Sequence, residues 1–409
     1  MPSLSATLVS PPAPAPTATT AEPAATPSTQ RSIGRLTGGR RGPTLLVVGA
    51  MHGNEPAGVQ GLERLFATPV DVGGLAGEVI GLVGNLAALD RGRRYLAEDL
   101  NRMWRRERVR RVRETPAAER VAEEREMAEL DAEIGRAVAA ARATGQAVYL
   151  LDLHTTSGGG PAFCVLEDTL PNRRFADALE APLVLGLEEE VTGTLTHWLA
   201  DQGVVTVGFE AGQHADPVAP ERAEAAIWLA MEAAGLLASA AAELRWRASA
   251  ARRRLIVEHR ALPRVLEVRY RHAIAAADGF RMRPGRRTFD RVAAGQPLAD
   301  DRRGAVVSPL DGRLLMPLYQ QQGEDGFFVV RPVAPAWLRI SAILRRLGVE
   351  RLLGLLPGVD RHPQLAGSYL VDRTVARWGA RQIFHLLGFR RRGADDGRYL
   401  TMTRRRFDG

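Results

Sequence analysis

The sequence contains no lysine, so all 55 of its basic residues are arginine. This absence excludes a P-loop, which needs a lysine for nucleotide phosphates, and Schiff-base chemistry of the pyridoxal or aldolase type. A single cysteine, Cys164, excludes an internal disulfide framework and any cysteine-rich zinc module. Because Cys164 lies in the apolar stretch Ala162–Leu166, we predict that it is a buried structural thiol.

We expect neither a secretory signal nor a membrane-spanning run in this sequence. Residues 1–33 are rich in Pro, Ala, Thr and Ser, which predicts a disordered tail. The longest apolar-leaning stretch, Ala225–Leu244, is interrupted by Glu232 and Glu243. This pattern favours a helix on the domain surface over a membrane span. We therefore expect a cytoplasmic protein with no stable membrane insertion.

The chain has 409 residues and 45% hydrophobic content, which suffices for two or more domains. Between residues 43 and 245, short apolar runs such as Thr44–Gly49 alternate with helical patterns, which predicts an α/β sheet domain. Pro56 is placed as the first residue of one predicted helix. Residues 262–334 alternate apolar with polar residues between frequent turn signals, which predicts a small β domain.

Residues 335–409 are predicted to form a helical C-terminal extension. It begins with an amphipathic helix whose apolar stripe is Trp337, Ile340, Ile343, Leu344 and Leu347. We expect this stripe to cover the β domain or to form a subunit contact rather than to dock on lipid.

Two histidines and a glutamate follow predicted strands. His52 and Glu55 come directly after Thr44–Gly49, and His154 ends a second run that begins at Ala147. Strands of one open α/β sheet bring their carboxyl ends to a common edge, where sites form. A His2Glu set leaves zinc a fourth position for water, so the sequence predicts a catalytic metal site. This nitrogen and oxygen ligand set would also accept other divalent ions.

Further polar groups are expected at the same edge. Glu210 ends the predicted strand Val204–Phe209 and could take a proton from an attacking water and pass it to a leaving amine. In the segment Arg94–Arg102, a guanidinium could hold a developing oxyanion, and an Asn–Arg pair could bind a carboxylate. His214 is interpreted as a loop residue.

Four motifs carry a family resemblance: His52–Glu55, Arg94–Arg102, Asp152–Thr156 and Gly208–Gly212. In order and spacing they resemble the succinylglutamate desuccinylase/aspartoacylase family, relatives of the zinc carboxypeptidases. The resemblance implies an α/β fold with a zinc-carboxypeptidase-like mixed sheet and flanking helices, plus a C-terminal β domain that helps to close the active-site mouth. It also implies hydrolysis of the amide in a small N-acyl amino acid.

The resemblance assigns roles to the individual side chains. It implies three Zn(2+) ligands, namely His52, Glu55 and His154. It also implies that Glu210 is the general base, that Arg94 stabilises the oxyanion, and that Asn101 and Arg102 bind a substrate carboxylate. Unlike aspartoacylase, the chain has no Arg between Thr194 and Gly208, so the resemblance leaves the acyl group and the amine of the substrate open.

Several alternatives remain at this stage. The same zinc and base would serve a carboxypeptidase or an esterase. A non-catalytic protein could instead use the arginine clusters at 105–113, 390–392 and 404–406 to attract nucleic acid or anionic membranes. The acidic stretch Glu119–Glu133 after the first cluster favours a solvated helix face and no nucleic-acid partner. The oligomeric state is open, and a homo-oligomer is compatible with the sequence.

Overall fold

A computed structural model describes residues 30–365, 367–372, 374–375, 380–391 and 398–404 of the chain. The strands are β1 (Ser32–Thr37), β2 (Arg40–Gly49), β3 (Ala76–Val83), β4 (Val148–Thr156), β5 (Phe163–Val165), β6 (Leu183–Leu185), β7 (Val205–Gln213), β8 (Val265–Ala273), β9 (Arg281–Met282), β10 (Arg291–Val292), β11 (Pro297–Asp301), β12 (Gly304–Val307), β13 (Gly312–Leu315), β14 (Asp325–Pro332), β15 (Val359–Arg361), β16 (Ser368–Asp372), β17 (Phe389–Arg391) and β18 (Tyr399–Arg404). The helices are α1 (Ala57–Ala67), α2 (Leu86–Leu89), α3 (Arg106–Glu114), α4 (Ala122–Ala143), α5 (Leu170–Asp177), α6 (Leu195–Ala200), α7 (Ala219–Ala233), α8 (Ala242–His259), α9 (Pro335–Arg346) and α10 (Ala380–Leu386).

A mixed sheet of 11 strands forms the centre of the fold, in the order β1-β3-β2-β4-β7-β5-β6-β8-β14-β13-β10. Strands β3, β2, β4 and β7 run parallel, whereas β1 pairs antiparallel with β3, and β5 pairs antiparallel with β7 and parallel with β6. Leu45 and Val47 of β2 pack on the side of α1 and α7, while Leu46 and Val48 pack on the side of α4. Burial on both faces explains the unbroken apolar run of β2. The predicted fold class, a mixed sheet with flanking helices, is confirmed.

The strands between 262 and 334 continue the large sheet instead of standing apart from it. Strands β8, β14, β13 and β10 extend the sheet from β6, and β9, β11 and β12 form a separate three-stranded sheet. The loop between β13 and β14 is therefore tied to the sheet that carries the candidate site.

The prediction of a helical extension after residue 335 is correct for α9 and α10 and wrong for the segments that form β15 to β18. Strands β15, β16, β18 and β17 form a four-stranded antiparallel sheet. Tyr369 and Val371 alternate on β16 and pack with Phe384 of α10 in a small core of their own. These strands have three to six residues, too few to reveal a period of two beside the Leu-rich and Arg-rich segments.

Helix α9 packs on the protein through a face that carries Ser341 and Arg345 together with the half-buried Leu338 and Leu344. Ser341 and Arg345 are buried, whereas four residues of the predicted apolar stripe are exposed, namely Trp337, Ile340, Ile343 and Leu347. The prediction that this stripe covers the β domain is therefore wrong. The guanidinium group of Arg345 forms a fully buried ion pair with Asp168, so the side of α9 that carries Arg345 faces the protein. The subunit contact stays a prediction.

Three smaller predictions concern boundaries and burial. Residues 1–29 of the predicted tail lie outside the described residues, and β1 begins at Ser32 because Ile33 and Leu36 pack on the core. Pro56 is the N-cap of α1 and not its first helical residue. Cys164 is buried as predicted, and burial raises the pKa of its thiol to about 12.

Among the described residues no helix is long and apolar enough to cross a membrane.

Candidate metal and catalytic site

The carboxyl ends of β2, β4 and β7 bring the predicted side chains together. The turn after β2 is tight: a Cβ on Gly53 would lie 2.1 Å from the carbonyl carbon of Ala88, so only glycine fits there. His154 on β4 is the register partner of Glu210 on β7. All seven predicted site residues line one cavity, namely His52, Glu55, Arg94, Asn101, Arg102, His154 and Glu210.

Each imidazole lies between two carboxylates. Nδ1 of His52 is 2.8 Å from Glu55 Oε1, and its Nε2 is 3.1 Å from Asp99 Oδ1. Nδ1 of His154 is 3.1 Å from Glu55 Oε2, and its Nε2 is 3.1 Å from Asp152 Oδ2. A neutral imidazole carries one ring proton and can donate to only one of its two carboxylates. Each ring therefore requires either a second proton or a cation on the Nδ1 side.

The donor set fits a metal ion. Ligand atoms of His52, Glu55 and His154 all lie within 4.8 Å of one another, and the three side chains are buried. With a cation between these atoms, the Nε2 protons would remain directed at Asp99 and Asp152, as is usual for metal-bound histidine. Two nitrogens and a carboxylate suit zinc.

The pKa shifts reflect the same charge distribution. Burial favours the neutral form of Glu55, but the facing imidazoles outweigh it and hold the pKa of Glu55 well below its usual range. Burial lowers the pKa of His154, but the Asp152 carboxylate and then Glu55 raise it well above its ordinary value. The site is thus a buried group of acids that attracts positive charge.

Glu210 is a buried acid of this site, and one of its carboxylate oxygens is unused. Among the described residues, its Oε2 has no hydrogen-bond partner. Burial raises the pKa of Glu210 to about 8; His154 and Arg94 oppose the rise, and the like charge of Glu55 supports it. A perturbed carboxyl group that faces a cavity is a candidate for proton transfer.

Arg94 is held against the acids by Asp99. Its Nη2 donates to Asp99 Oδ2 at 2.9 Å, and its Nη1 lies 3.5 Å from Glu55 Oε1. Burial opposes the positive charge, but Asp99 and Glu55 outweigh it and raise the pKa of Arg94 above its ordinary value. The guanidinium is therefore a fixed positive charge at the edge of the His–Glu–His set.

Asn101 and Arg102 differ in their freedom to bind a ligand. The Asn101 side-chain oxygen accepts from the backbone N–H of Leu195 at 2.9 Å, and its Nδ2 lies 3.4 Å from His154 Nε2. Arg102 Nη2 contacts Asp325 Oδ2 at 3.5 Å, a distance that marks a weak ion pair. The side-chain oxygen of Asn101 and Nη1 of Arg102, which donates to Asn101 O at 3.0 Å, are thus engaged with the protein, and the weak ion pair leaves Arg102 Nη2 able to turn towards a ligand. Binding of a substrate carboxylate by Asn101 and Arg102 stays a prediction.

Several residues of the site were not assigned a role from the sequence. Asp152 lies two residues before His154 on the same face of β4, so the strand period could have revealed it. Gln320 accepts from Asn54 Nδ2 at 2.8 Å and lies 3.1 Å from His214 Nε2. No local signal marks Gln320, because it comes from a loop far away in sequence. His214, which we interpreted as a loop residue, also lies 2.8 Å from Thr155 Oγ1 and so packs behind the site.

The arginine clusters are largely paired with acids. On α3, Arg108 contacts Glu98 and Glu124, and Arg113 contacts Asp131. Arg390 is enclosed by acidic side chains, which are Asp168, Glu188, Glu189 and Glu267. Residues 392, 405 and 406 of the predicted clusters lie outside the described residues. The interpretation of the first cluster as a solvated helix face agrees with these contacts.

Solved structures with the same fold include the succinylglutamate desuccinylase/aspartoacylase from Rhodobacter sphaeroides, with a TM-score of 0.53 and 17% identity over 74% of this chain and 88% of that chain. The product-bound ectoine utilization protein EutE (DoeB) from Ruegeria pomeroyi aligns with a TM-score of 0.50 and 19% identity, over 71% of this chain and 85% of that chain. At these identities the likeness establishes the fold. A search of curated proteins found no match.

Fold and cavity together define an α/β protein with a candidate metal centre at the carboxyl edge of its sheet. Residues 41–232 match the sequence profile of the succinylglutamate desuccinylase/aspartoacylase catalytic domain. The domain formed by these residues belongs to the succinylglutamate desuccinylase/aspartoacylase family, a family of deacylase-type hydrolases. The predicted family is confirmed.

Proposed function

We propose that this protein is a zinc-dependent deacylase that hydrolyses the amide bond of N-acyl amino acids. The observation that carries the proposal is the convergence of three kinds of group in one cavity. These are a His–Glu–His ligand set, a buried carboxyl group with an unpartnered oxygen at Glu210, and the guanidinium groups of Arg94 and Arg102.

Zinc would be held by His52, Glu55 and His154, where it would polarise the acyl carbonyl and acidify a water molecule. Asp99 and Asp152 would fix the orientation of the two rings through their Nε2 atoms. The protein thus supplies a rigid, buried ligand set.

Glu210 accepts the proton of the attacking water and later donates it to the departing amine nitrogen. Its Oε2 is available because no described protein group binds it. The pKa of about 8 without a cation means that Glu210 is largely protonated at neutral pH in that state. A divalent cation nearby would favour the ionised form and so prepare Glu210 as a base.

The two arginines act on different parts of the substrate. Arg94 is fixed by Asp99, so its charge is in place when the carbonyl oxygen becomes negative. Arg102 binds the substrate carboxylate, and Asp325 retains Arg271 as a partner when Arg102 turns away. Asn101 holds the backbone of Leu195 and so supports this wall of the cavity.

The test is a hydrolysis assay on zinc-supplemented full-length protein with N-acyl amino acids, C-terminally free dipeptides and simple esters. We expect release of an amino acid from N-acyl substrates, loss of this activity with a chelator, and recovery with zinc. Release of C-terminal residues from dipeptides alone would indicate a carboxypeptidase. Preferred cleavage of esters would indicate an esterase. Salt-dependent binding to RNA or vesicles without any hydrolysis would contradict the proposal.

A further inference from the structure

The cavity of the candidate site has one charged side and one apolar side. On the charged side lie the His–Glu–His set, Arg94 and Arg102. The cavity is also lined by a surface that we call the apolar wall, composed of Val165, Leu187, Val191, Met316 and Phe328.

The apolar wall is the flank of a packed hydrophobic cluster. Phe328 belongs to this cluster together with Phe163, and the other four wall residues pack against it while remaining partly exposed. Phe163 is the register partner of Glu210, so the cluster begins directly beside the proposed base. The side chains behind the apolar wall are close-packed hydrophobic residues. A polar side chain therefore cannot easily move into the wall to meet a ligand.

Met316 is fixed at this wall by its backbone. Its φ of 50° lies in the left-handed region, which residues other than glycine seldom adopt. The backbone N–H of Met316 donates to Thr288 Oγ1 at 3.2 Å, and Thr288 is buried. A backbone conformation held in this way keeps the thioether side chain at the cavity.

Cations are scarce around the cavity. Among the described residues that line it, the basic side chains are Arg94 and Arg102. Arg94 is already bound to the carboxylates of Asp99 and Glu55, whereas the carboxylate that Arg102 contacts, Asp325, lies at 3.5 Å, and Nη1 of Arg102 donates to the backbone oxygen of Asn101 at 3.0 Å. The cavity therefore has one guanidinium available for one carboxylate.

We propose, on the basis of the deacylase function proposed above, that the substrate carries a single carboxylate and that its remaining groups are apolar. Arg102 takes the carboxylate, and the apolar wall takes the amino-acid side chain or the acyl chain. A second carboxylate on either part would be buried against the apolar wall without a partner, which is strongly unfavourable. The substrate class is thus N-acyl derivatives of apolar amino acids with apolar acyl groups.

The test compares matched pairs of substrates. N-acetyl-L-leucine and N-acetyl-L-aspartate differ by an isopropyl group against a carboxylate of similar size. N-(4-methylpentanoyl)-L-leucine and N-succinyl-L-leucine make the same comparison in the acyl chain. We expect kcat/KM to be at least about tenfold higher for the apolar member of each pair, because the wall leaves the second charge unpaired.

A variant introduces the missing cation. Val191→Arg places a guanidinium on the apolar wall. It should lower the ratio of kcat/KM for the apolar substrate to kcat/KM for the acidic substrate by about tenfold, or reverse it. Val191→Met is the matched control, since it adds a long side chain without charge, and it should keep the apolar preference. An acidic preference in the parent, or equal effects of the two variants, would overturn the inference.

Binding measured without turnover separates this inference from the proposed function. Calorimetry on the Glu210→Gln variant should show tighter binding of N-acetyl-L-leucine than of N-acetyl-L-aspartate. If the parent hydrolyses neither substrate but this difference in binding is found, the deacylase function fails and the specificity stands. If the parent hydrolyses both and prefers aspartate, the function stands and the specificity is overturned. Equal binding of both ligands would also overturn it.

Discussion

Glu55 and Asp168 are both buried carboxylates, yet they face opposite kinds of partner. Asp168 is surrounded by guanidinium groups: Arg173 Nη2 lies at 3.0 Å, Arg345 Nη2 lies at 2.9 Å, and Arg390 also contacts it. Glu55 faces the Nδ1 atoms of two imidazoles, whose Nε2 atoms face further carboxylates. Asp168 has permanent positive charge around it, and Glu55 has groups that require a proton or a metal ion.

The difference separates a structural ion cluster from a candidate metal centre. Around Glu55 lie three further acids, Asp99, Asp152 and Glu210, and the guanidinium group that contacts Glu55 is that of Arg94. A divalent cation would balance these negative charges. Asp168 itself is contacted by three guanidinium groups, and this cluster joins α9 and β17 of the C-terminal extension to the catalytic domain. Geometry alone shows a buried carboxylate in both places, whereas the balance of charge distinguishes their roles.

The largest effect is expected from Glu210→Gln. The amide cannot accept or return a proton, so kcat should fall by about 10²–10⁴-fold, the usual contribution of a general base. The zinc content should stay that of the parent, since Glu210 lies outside the ligand set. Steady-state kinetics and metal analysis on the same preparation check this, and loss of zinc together with activity would make Glu210 a ligand or a structural residue.

Asp168→Asn should destabilise the protein without touching the metal site. Removal of the carboxylate takes this charged partner from the fully buried guanidinium group of Arg345, which costs about 3–5 kcal/mol in the free energy of unfolding. The matched control is Asp177→Asn, whose carboxylate is 65% exposed and pairs with Arg264. This surface pair should contribute less than about 1 kcal/mol. Urea unfolding of the metal-free proteins measures both, and equal losses would contradict the distinction between the two acids.

A smaller effect is expected from Arg102→Ala. Loss of one charged hydrogen bond of roughly 1.5–3 kcal/mol should raise KM for carboxylate-bearing substrates by about ten- to hundredfold, with little change in kcat. The corresponding N-acyl amide without a carboxylate is the control substrate, and its KM should not change. An unchanged KM for the carboxylate substrate would exclude this role of Arg102.

The pH dependence of stability should also distinguish Asp168. Burial would raise its pKa, but Arg173, Arg345 and Arg390 outweigh burial and hold the pKa of Asp168 well below its usual range. Its contribution is therefore complete above the unfolded-state pKa of about 3.9 and is lost as pH falls towards the folded-state pKa, with a slope of about 1.4 kcal/mol per pH unit. When unfolding is measured at a series of pH values below 5, the difference in the free energy of unfolding between the parent and Asp168→Asn should shrink as the pH falls. A difference that stays constant with pH would contradict this.

Much of the candidate site was predictable because its residues lie beside strong local signals. His52, His154 and Glu210 each follow or end an apolar run, and parallel strands bring such ends to one edge. The site residues that could not be predicted are those that lie far along the chain from the four motifs. Gln320 and Asp325 reach the site from the loop before β14 and from the start of β14, and no periodicity marks them.

The C-terminal extension shows why hydrophobic patterns failed there. The stripe of α9 predicts an inward apolar face, but Arg345 on the other side finds Asp168 and is completely buried. A buried ion pair between residues distant in sequence leaves no local pattern. The side of α9 that is buried could therefore not be predicted from its hydrophobic pattern alone. The four short strands after α9 were missed because a period of two is hard to recognise over so few residues.

The most direct test of the central claim is the zinc content of three proteins after dialysis against zinc and then against buffer. We expect one equivalent in the parent, one equivalent in Asp168→Asn and none in Glu55→Gln, because Glu55 supplies an oxygen to the His–Glu–His set, whereas Asp168 is held by guanidinium groups. Retention of zinc by Glu55→Gln, or a parent that binds none, would contradict the assignment of the metal centre.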